Sequence, residues 1–265
     1  MGEGDVNNRR QRVVRVEAIV LRHSDWGEAD RLLWLITQEM GKIQAVAKGV
    51  RRIRSRKAGH LEPFTRSSLL LARGRDLLIV TQAETIDAFL PLRDNLAGVT
   101  YASYVVELLD KFTYEEGEGR GLFALLADTL KRLSEGTDPD SVIRYFELRL
   151  LDQVGFRPEL FHCLGCSREI QPEGQYFSAK AGGALCPKCG PGAPGSIPIS
   201  INALHLLRHF QRSSFSEAIR LGLSAEVNRE VEILMQHYLT YLLERGLNTP
   251  PFLRRLRNAA QDAKA

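Results

Sequence analysis

The chain contains 265 residues, of which 44% are hydrophobic and 26% are charged, which is an ordinary composition for a folded globular protein. This length suggests one or two domains, and it is enough to bury a core without disulfide bonds. No apolar run approaches the roughly 18 residues that a membrane helix needs. The polar stretch 1–12 lacks the apolar region of a secretory signal. We therefore expect a cytoplasmic protein that begins with a flexible N-terminal segment, 1–12.

The net charge of +4 conceals a division into a basic part and a mildly acidic part. Residues 1–82 carry 16 Lys and Arg against 9 Asp and Glu, whereas residues 83–265 carry 20 against 23. Within the basic part, the stretch from Lys42 to Arg75 forms a dense basic block. Such a block attracts polyanions such as nucleic acid, although a solvated loop without a ligand is the alternative interpretation. The block holds one acidic residue, Glu62. The candidate nucleic-acid contacts are its ten basic residues: Lys42, Lys48, Arg51, Arg52, Arg54, Arg56, Lys57, Arg66, Arg73 and Arg75.

Residues 13–90 have the alternating hydrophobic pattern of short β-strands. Five short strands in fewer than about 80 residues favour a small barrel. The five-stranded OB-fold, which binds oligonucleotides, is the leading prediction, and an SH3-like barrel is the nearest alternative. Trp34 lies on an apolar strand, and we expect it in the barrel core. The predicted strands cover 14–20, 32–37, 42–48, 67–72 and 77–81.

After Pro91 the hydrophobic period changes from 2 to 3.6, which indicates helices. Asn95 and Asp138 can each cap the N-terminus of a predicted helix. Segment 160–198 is rich in Gly, Pro and Cys and fits neither pattern. Helices resume after Ser200 and after Ser224. We assign 91–265 to a helical domain in which 160–198 is an insert.

The insert contains all four cysteines of the chain, arranged as two C-x2-C pairs: Cys163, Cys166, Cys186 and Cys189. Zinc takes four thiolates in a tetrahedron, and each short pair can supply two of them from one turn. Four protein ligands leave no position for water, so we predict one structural Zn²⁺. Two disulfides and a redox pair are the alternatives, and direct contact between this zinc finger and DNA stays open.

An enzyme would need a recognisable catalytic constellation, and the sequence offers none. The Gly41-Lys42 pair is followed by Ile43, so it does not form a phosphate-binding P-loop. Neither H-E-x-x-H nor G-x-S-x-G occurs. These absences favour a binding protein over an enzyme.

Several segments together resemble the bacterial RecO family of recombination mediators. The first block is Ala18-Ile-Val-Leu-Arg22, Glu28 and Gly41-Lys-Ile-Gln-Ala-Val-Ala-Lys-Gly49, followed by Arg51-Arg52 and Ser55. The second block is Glu147-Leu-Arg-Leu-Leu151, Gly155, Pro158 and Cys163-x2-Cys166, which Cys186 and Cys189 complete.

This resemblance implies an N-terminal OB-fold, a C-terminal α-helical domain and an embedded zinc finger. It also implies a nucleoid-associated protein that binds single- and double-stranded DNA and anneals complementary strands. With RecR, such a protein displaces single-strand-binding protein so that RecA can load, and it is linked functionally to RecF. The resemblance assigns zinc to the four cysteines and DNA binding to the basic residues between Lys42 and Arg75.

Two other functions remain as alternatives. The first is an RNA-binding OB-fold protein of translation, which the barrel and the basic block would also suit. The second is a nucleic-acid enzyme, since ligases can combine an OB-fold with a four-cysteine zinc site. The second alternative is weakened because the chain has no Lys-x-Asp-Gly nucleophile motif.

Overall fold

The computed structural model describes residues 13–114, 119–220, 224–244 and 249–250, so the predicted flexible segment 1–12 lies outside the described residues. The chain divides into two compact units, and the division falls after Glu135. Among the described residues, the first unit therefore contains the barrel together with three α-helices and a short 3-10 helix, Ala58–Leu61. Compactness alone does not define a domain, so the division at 13–90 and 91–265 remains a prediction.

The first unit is built on a closed barrel with the strand order β1-β2-β3-β5-β4. Strand β4 pairs with β1 to close the barrel, and β3 and β5 are the parallel pair. This arrangement confirms the predicted OB-like barrel, and the SH3-like alternative is not supported. The strands are β1 (Val13–Trp26), β2 (Asp30–Thr37), β3 (Gly41–Ala47), β4 (Arg66–Arg73) and β5 (Leu78–Asp87).

Alternating side chains of the strands fill the barrel, as the period-2 pattern predicts. Leu33 and Leu35 are fully buried in this core. Trp34 lies between them on β2 and therefore points to the outside of the barrel, where it is half-buried. The Arg22 guanidinium covers its ring at 3.4 Å from the centroid. The prediction that Trp34 belongs to the core is wrong, because neighbouring side chains on a strand face opposite sides.

Strand direction brings two connecting segments to one end of the barrel, which we call the loop end: 27–29 and 48–57. The segment 27–29 leads into the start of β2, which pairs with the end of β3 through Arg31 and Ala47. Strand β5 runs parallel to β3, so the turn 74–77 that precedes it lies toward the opposite end, where β3 begins.

Three helices of the first unit are α1 (Leu90–Arg93), α2 (Leu96–Phe112) and α3 (Arg120–Ser134). The Asn95 side chain accepts a hydrogen bond from the Gly98 amide at 2.7 Å, which confirms it as the cap of α2. The segment before α3 contacts the barrel at the end opposite the loop end. A Cβ on Gly119 would lie 2.2 Å from the Gly41 Cα, so this contact requires a residue without a side chain.

The second unit combines helices with a small sheet of order β7-β6-β8. Asp138 accepts a hydrogen bond from the amide three residues later, as predicted for a cap, and Ser200 and Ser224 cap their helices in the same way. The sheet lies in the segment that fitted neither pattern, because strands of three or four residues are too short to show alternation. The elements are α4 (Pro139–Gln153), β6 (Gln175–Ser178), β7 (Gly183–Leu185), β8 (Ile197–Ile199), α5 (Ile201–Arg212), α6 (Phe215–Ala218) and α7 (Ala225–Leu243).

The structure therefore confirms the predicted fold class: an OB-like barrel followed by a helical region that carries the cysteine cluster. Among the described helices, none has both the length and the apolar character needed to cross a membrane.

A partly buried ion cluster joins α2 to the barrel. Asp110 on α2 lies 2.7 Å from Lys42 Nζ and 2.8 Å from Arg22 Nε. Lys42 is only 9% exposed, and its ammonium also donates to the Asp110 and Thr113 carbonyls. Burial by itself would raise the pKa of Asp110, but hydrogen bonds and charge from Lys42 and Arg22 hold the pKa below its usual range.

We expect Asp110→Asn to destabilise the first unit by about 3 kcal/mol, because it leaves the buried Lys42 ammonium without a counter-charge. Since the folded pKa is lowered, the stabilisation from Asp110 is present above about pH 4 and disappears as the pH falls through the folded pKa. Urea unfolding at neutral and acidic pH measures both effects.

The matched control for this experiment is Asp128→Asn, which removes the carboxylate of an exposed pair with Arg132 on α3. An exposed pair of this kind contributes little, so its loss should leave the unfolding midpoint almost unchanged. Equal destabilisation by the two variants at neutral pH would contradict the role assigned to Asp110.

Candidate metal centre and candidate nucleic-acid interface

The four cysteines form one cluster in the second unit. Cys163 and Cys166 precede β6, whereas Cys186 and Cys189 follow β7 directly. Their four Sγ atoms lie within 4.8 Å of one another, and the Cys166 and Cys186 sulfurs are 3.9 Å apart. The four residues are free cysteines. The fold therefore brings together the two pairs that the sequence places nineteen residues apart.

Tight turns give each pair its geometry. The Ser167 amide donates to the Cys163 carbonyl at 2.7 Å, and the Gly190 amide donates to the Cys186 carbonyl at 2.9 Å. The first turn packs directly against the second pair at Gly165. A Cβ at this position would lie 2.9 Å from the Cys189 Cβ and 3.1 Å from its Sγ. A side chain at residue 165 would therefore push the two pairs apart.

The electrostatics of the cluster also fit a cation. Burial would raise the pKa of the Cys163 thiol, but amide donors from Cys186, Gly165 and Cys166 lower it to about 6. Hydrogen bonds with the neighbouring thiols of Cys186 and Cys166 raise the pKa of Cys189 to about 12. Crowded thiols thus resist losing all their protons together, and a bound cation compensates the negative charge that four thiolates would concentrate.

A tetrahedral ion with bonds of about 2.3 Å to sulfur separates its ligands by about 3.8 Å. The separation of 3.9 Å between the Cys166 and Cys186 sulfurs is close to this value. The four cysteines could therefore hold one metal ion with a closed coordination sphere. Such an ion would connect the loop before β6 to the loop after β7.

Seven of the ten candidate nucleic-acid contacts are exposed. Five of them lie at the loop end of the barrel, in the segment after β3, and we call this group the basic rim. Its members are Lys48, Arg51, Arg52, Arg54 and Arg56. Arg73 and Arg75 lie at the turn between β4 and β5, toward the opposite end of the barrel.

The structure places the other three candidates elsewhere or gives them internal partners. Lys42 lies at the opposite end of the barrel, where its ammonium is paired with Asp110. Arg66 also lies away from the loop end and pairs with Glu17. The Lys57 ammonium donates to the Val80 carbonyl at 2.9 Å, and burial lowers its pKa. These three residues are not part of the basic rim, because a phosphate would have to displace contacts within the fold.

The segment 48–57, which we call the basic segment, is anchored to the barrel where it leaves β3. Val50 is buried in the core, and the Gly49 amide donates to Asp30 Oδ1 at 2.7 Å. The Arg51 amide donates to the Ala29 carbonyl at 3.0 Å, which joins the segment to the turn between β1 and β2. The anchoring role of Asp30 was missed by the sequence analysis, because no local motif links a carboxylate to an amide nineteen residues later.

Most cations of the basic rim have no counter-charge in the fold. Arg51 lies 3.2 Å from Asp25, in an exposed pair. Among the residues that the structure describes, no carboxylate forms an ion pair with Lys48, Arg52, Arg54 or Arg56. Exposed acidic side chains at this end are Asp25 and Glu28. The exposed side chains at the loop end therefore carry a net positive charge, which suits the binding of a polyanion.

Comparison with known proteins gives matches across both parts of the chain. Residues 12–89 match the family described as "Recombination protein O N terminal", and residues 93–251 match "Recombination protein O C terminal". The DNA repair protein RecO of Roseiflexus sp. (strain RS-1) is 41% identical over 244 residues, covering 92% of this chain and 86% of that protein.

Two further relatives have the same name. The DNA repair protein RecO of Dehalococcoides mccartyi (strain CBDB1) is 37% identical over 87% of this chain and 91% of its own length. That of Pelotomaculum thermopropionicum is 37% identical over 94% of this chain and 96% of its own length. With its barrel, helices and cysteine cluster, the chain belongs to the RecO family of DNA repair proteins.

Proposed function

We propose that this protein is a recombination mediator that binds single- and double-stranded DNA and anneals complementary strands. The observation that carries the proposal is the basic rim: exposed cations on an anchored segment of an OB-like barrel, which, apart from Arg51, have no ion pair among the described residues. Membership of a DNA repair family supports DNA as the polyanion.

The chemistry of the rim suits binding that does not depend on sequence. Arg and Lys side chains contact phosphate oxygens, which are the same at every nucleotide. Each contact with a single-stranded phosphate should add about −0.7 to the slope of log K on log salt. Neutralised phosphates also reduce the repulsion between two strands, so a surface that binds both strands can bring complementary sequences together.

The proposal extends to partners that the family resemblance implies. We propose that the protein acts with RecR to displace single-strand-binding protein and let RecA load, with a functional link to RecF, in a nucleoid-associated cytoplasmic location. No bond is made or broken in this role, so we propose no catalytic residues. Binding of RNA in translation is not favoured, because the relatives are named as DNA repair proteins.

We further propose that the metal held by Cys163, Cys166, Cys186 and Cys189 is one structural Zn²⁺. Sulfur donors in a tetrahedron are the usual ligand set of structural zinc sites. The segment 160–198 has only short strands of its own, so a bound ion would supply much of its folding free energy.

Metal analysis of the reduced protein should find about one zinc per chain, as four ligands fill one tetrahedron. Cys163→Ser should lose the zinc and lower the thermal stability of the second unit. The control is His162→Ala, which removes the neighbouring imidazole and should keep the metal. Loss of zinc in the control, or disulfides in freshly reduced protein, would contradict a four-cysteine zinc site.

Replacing Arg52, Arg54 and Arg56 by Ala should weaken single-stranded DNA binding and make the salt slope less negative by up to about 2. Fluorescence anisotropy over a series of salt concentrations measures both quantities. The control variant replaces Arg120, Lys131 and Arg229, which are exposed on α3 and α7. It changes the net charge equally and should leave the slope unchanged.

The result that contradicts this assignment is an unchanged slope in the Arg52, Arg54 and Arg56 variant. A competition between DNA and RNA oligonucleotides of the same sequence belongs in the same experiment. Clear preference for RNA would overturn the proposed role in recombination and favour the alternative in translation.

Annealing of complementary oligonucleotides coated with single-strand-binding protein tests the mediator role itself. We expect this protein to accelerate annealing, and we expect RecR to be required for RecA to load on the coated strand. The basic-rim variant should lose annealing, whereas the charge-matched control should keep it. Annealing no faster than in the absence of the protein would refute the proposed activity.

A further inference from the structure

Two apolar side chains at the loop end are not explained by phosphate binding. Trp26 is the last residue of β1 and is 49% exposed, and Ile53 lies within the basic segment and is 105% exposed. A single exposed apolar residue is common on protein surfaces and needs no function. These two are unusual because of their position among uncompensated cations.

The backbone holds Ile53 away from the barrel. The Ser55 amide donates to the Arg52 carbonyl at 2.9 Å, which closes a turn with Ile53 and Arg54 at its centre. The buried Val50 and the bond from Gly49 to Asp30 fix the base of the same segment. Ile53 is therefore presented at the tip of an anchored loop, with arginines on both sides.

Trp26 lies beside the base of this loop. It pairs across the strands with Asp30 and therefore shares its face of the sheet, and the Asp30 carboxylate accepts the hydrogen bond from the Gly49 amide at 2.7 Å. Asp25, the neighbour of Trp26, pairs with the Arg51 guanidinium at 3.2 Å, and that guanidinium also donates to the Glu28 carbonyl at 3.4 Å. The Arg51 amide donates to the Ala29 carbonyl. Arg51 thus joins the turn that follows Trp26 to the loop that presents Ile53.

We propose that Trp26 and Ile53 form a base-binding site for single-stranded DNA whose phosphates lie on the basic rim. One base would stack on the exposed indole, and Ile53 would pack against an unstacked neighbouring base. Aromatic platforms bind bases without regard to sequence, and apolar side chains are known to enter between bases. This inference rests on the proposed function, which concerns phosphate contacts alone.

Charge argues for a nucleic acid as the occupant. Arg52 and Arg54 flank Ile53 directly, so an apolar protein segment over Ile53 would bury two guanidinium groups without partners. A nucleotide supplies both an apolar base face and a phosphate, and therefore satisfies the isoleucine and the arginines together. Bases in a duplex are already stacked, so the site should favour single strands over duplexes.

The test compares oligothymidylate of about 20 nucleotides with an abasic oligonucleotide of the same length, which keeps the phosphates and lacks the bases. Wild-type protein should bind oligothymidylate more tightly than the abasic strand. Trp26→Ala should weaken oligothymidylate binding by about five- to a hundredfold, and Ile53→Ala by about three- to tenfold. Neither substitution should change abasic binding or the salt slope.

Matched controls are Tyr241→Ala and Ile233→Ala, which remove exposed apolar side chains from α7. Both should bind the two oligonucleotides like the wild type, and thermal unfolding should show that all four variants fold. The arginine variant described above should weaken binding of both oligonucleotides equally, because it acts on phosphates.

The outcomes separate the two proposals. The base site would be overturned if the wild type bound the two oligonucleotides equally well, or if Trp26→Ala and Ile53→Ala weakened binding of both equally. Either result would leave the DNA-binding rim intact. The base site would also be overturned if these two variants kept the preference for oligothymidylate but bound a protein partner more weakly. That result would assign Trp26 and Ile53 to the protein partner. Absence of salt-dependent binding to either strand would overturn the proposed function and this inference together.

Discussion

The antiparallel pairing of β2 with β3 is the constraint on which the proposed DNA surface depends. Seven residue pairs form it, from Arg31 with Ala47 to Thr37 with Gly41. Because β2 also pairs with β1, these contacts place the segment after β3 beside the turn that follows β1. The cations of that segment then gather at one end of the barrel. Their mutual repulsion is offset at the base of the loop by burial of Val50 and by the bond from Gly49 to Asp30.

Burial gives cations of the same basic block opposite roles. Lys42 is almost buried and shares the Asp110 carboxylate with Arg22, so its charge serves to fasten α2 to the barrel. Arg52 and Arg54 are exposed and have no ion pair among the described residues, so their charges remain available to a ligand. A charge that is neutralised inside the fold adds nothing to a phosphate site, since a ligand would first have to separate the existing pair. One end of the barrel therefore holds a cation that is paired within the fold, whereas the loop end holds cations that remain available to a ligand.

The cysteine cluster solves a different problem in the second unit. Segment 160–198 contributes three short strands to a small sheet, and a sheet of this size buries too little apolar surface to be stable alone. Close packing of Gly165 against Cys189 brings the two turns together, and amide donors stabilise negative charge on the Cys163 sulfur. The geometry of the sulfurs is therefore set by backbone turns on both sides of the sheet. This explains why two short motifs, separated by nineteen residues, converge on one site.

Features that depend on neighbouring residues could be read from the sequence alone. Strand alternation indicated the barrel, and Asn95 and Asp138 identified helix starts because a cap bonds to an amide three residues away. The spacing of the cysteines likewise indicated a metal cluster. Long-range contacts were needed to establish which side of β2 carries Trp34, that Lys42 is paired inside the fold, and that Trp26 lies beside the base of the Ile53 loop. Each of these depends on partners far away in the sequence, and the closing of the barrel selects those partners through the register of all five strands.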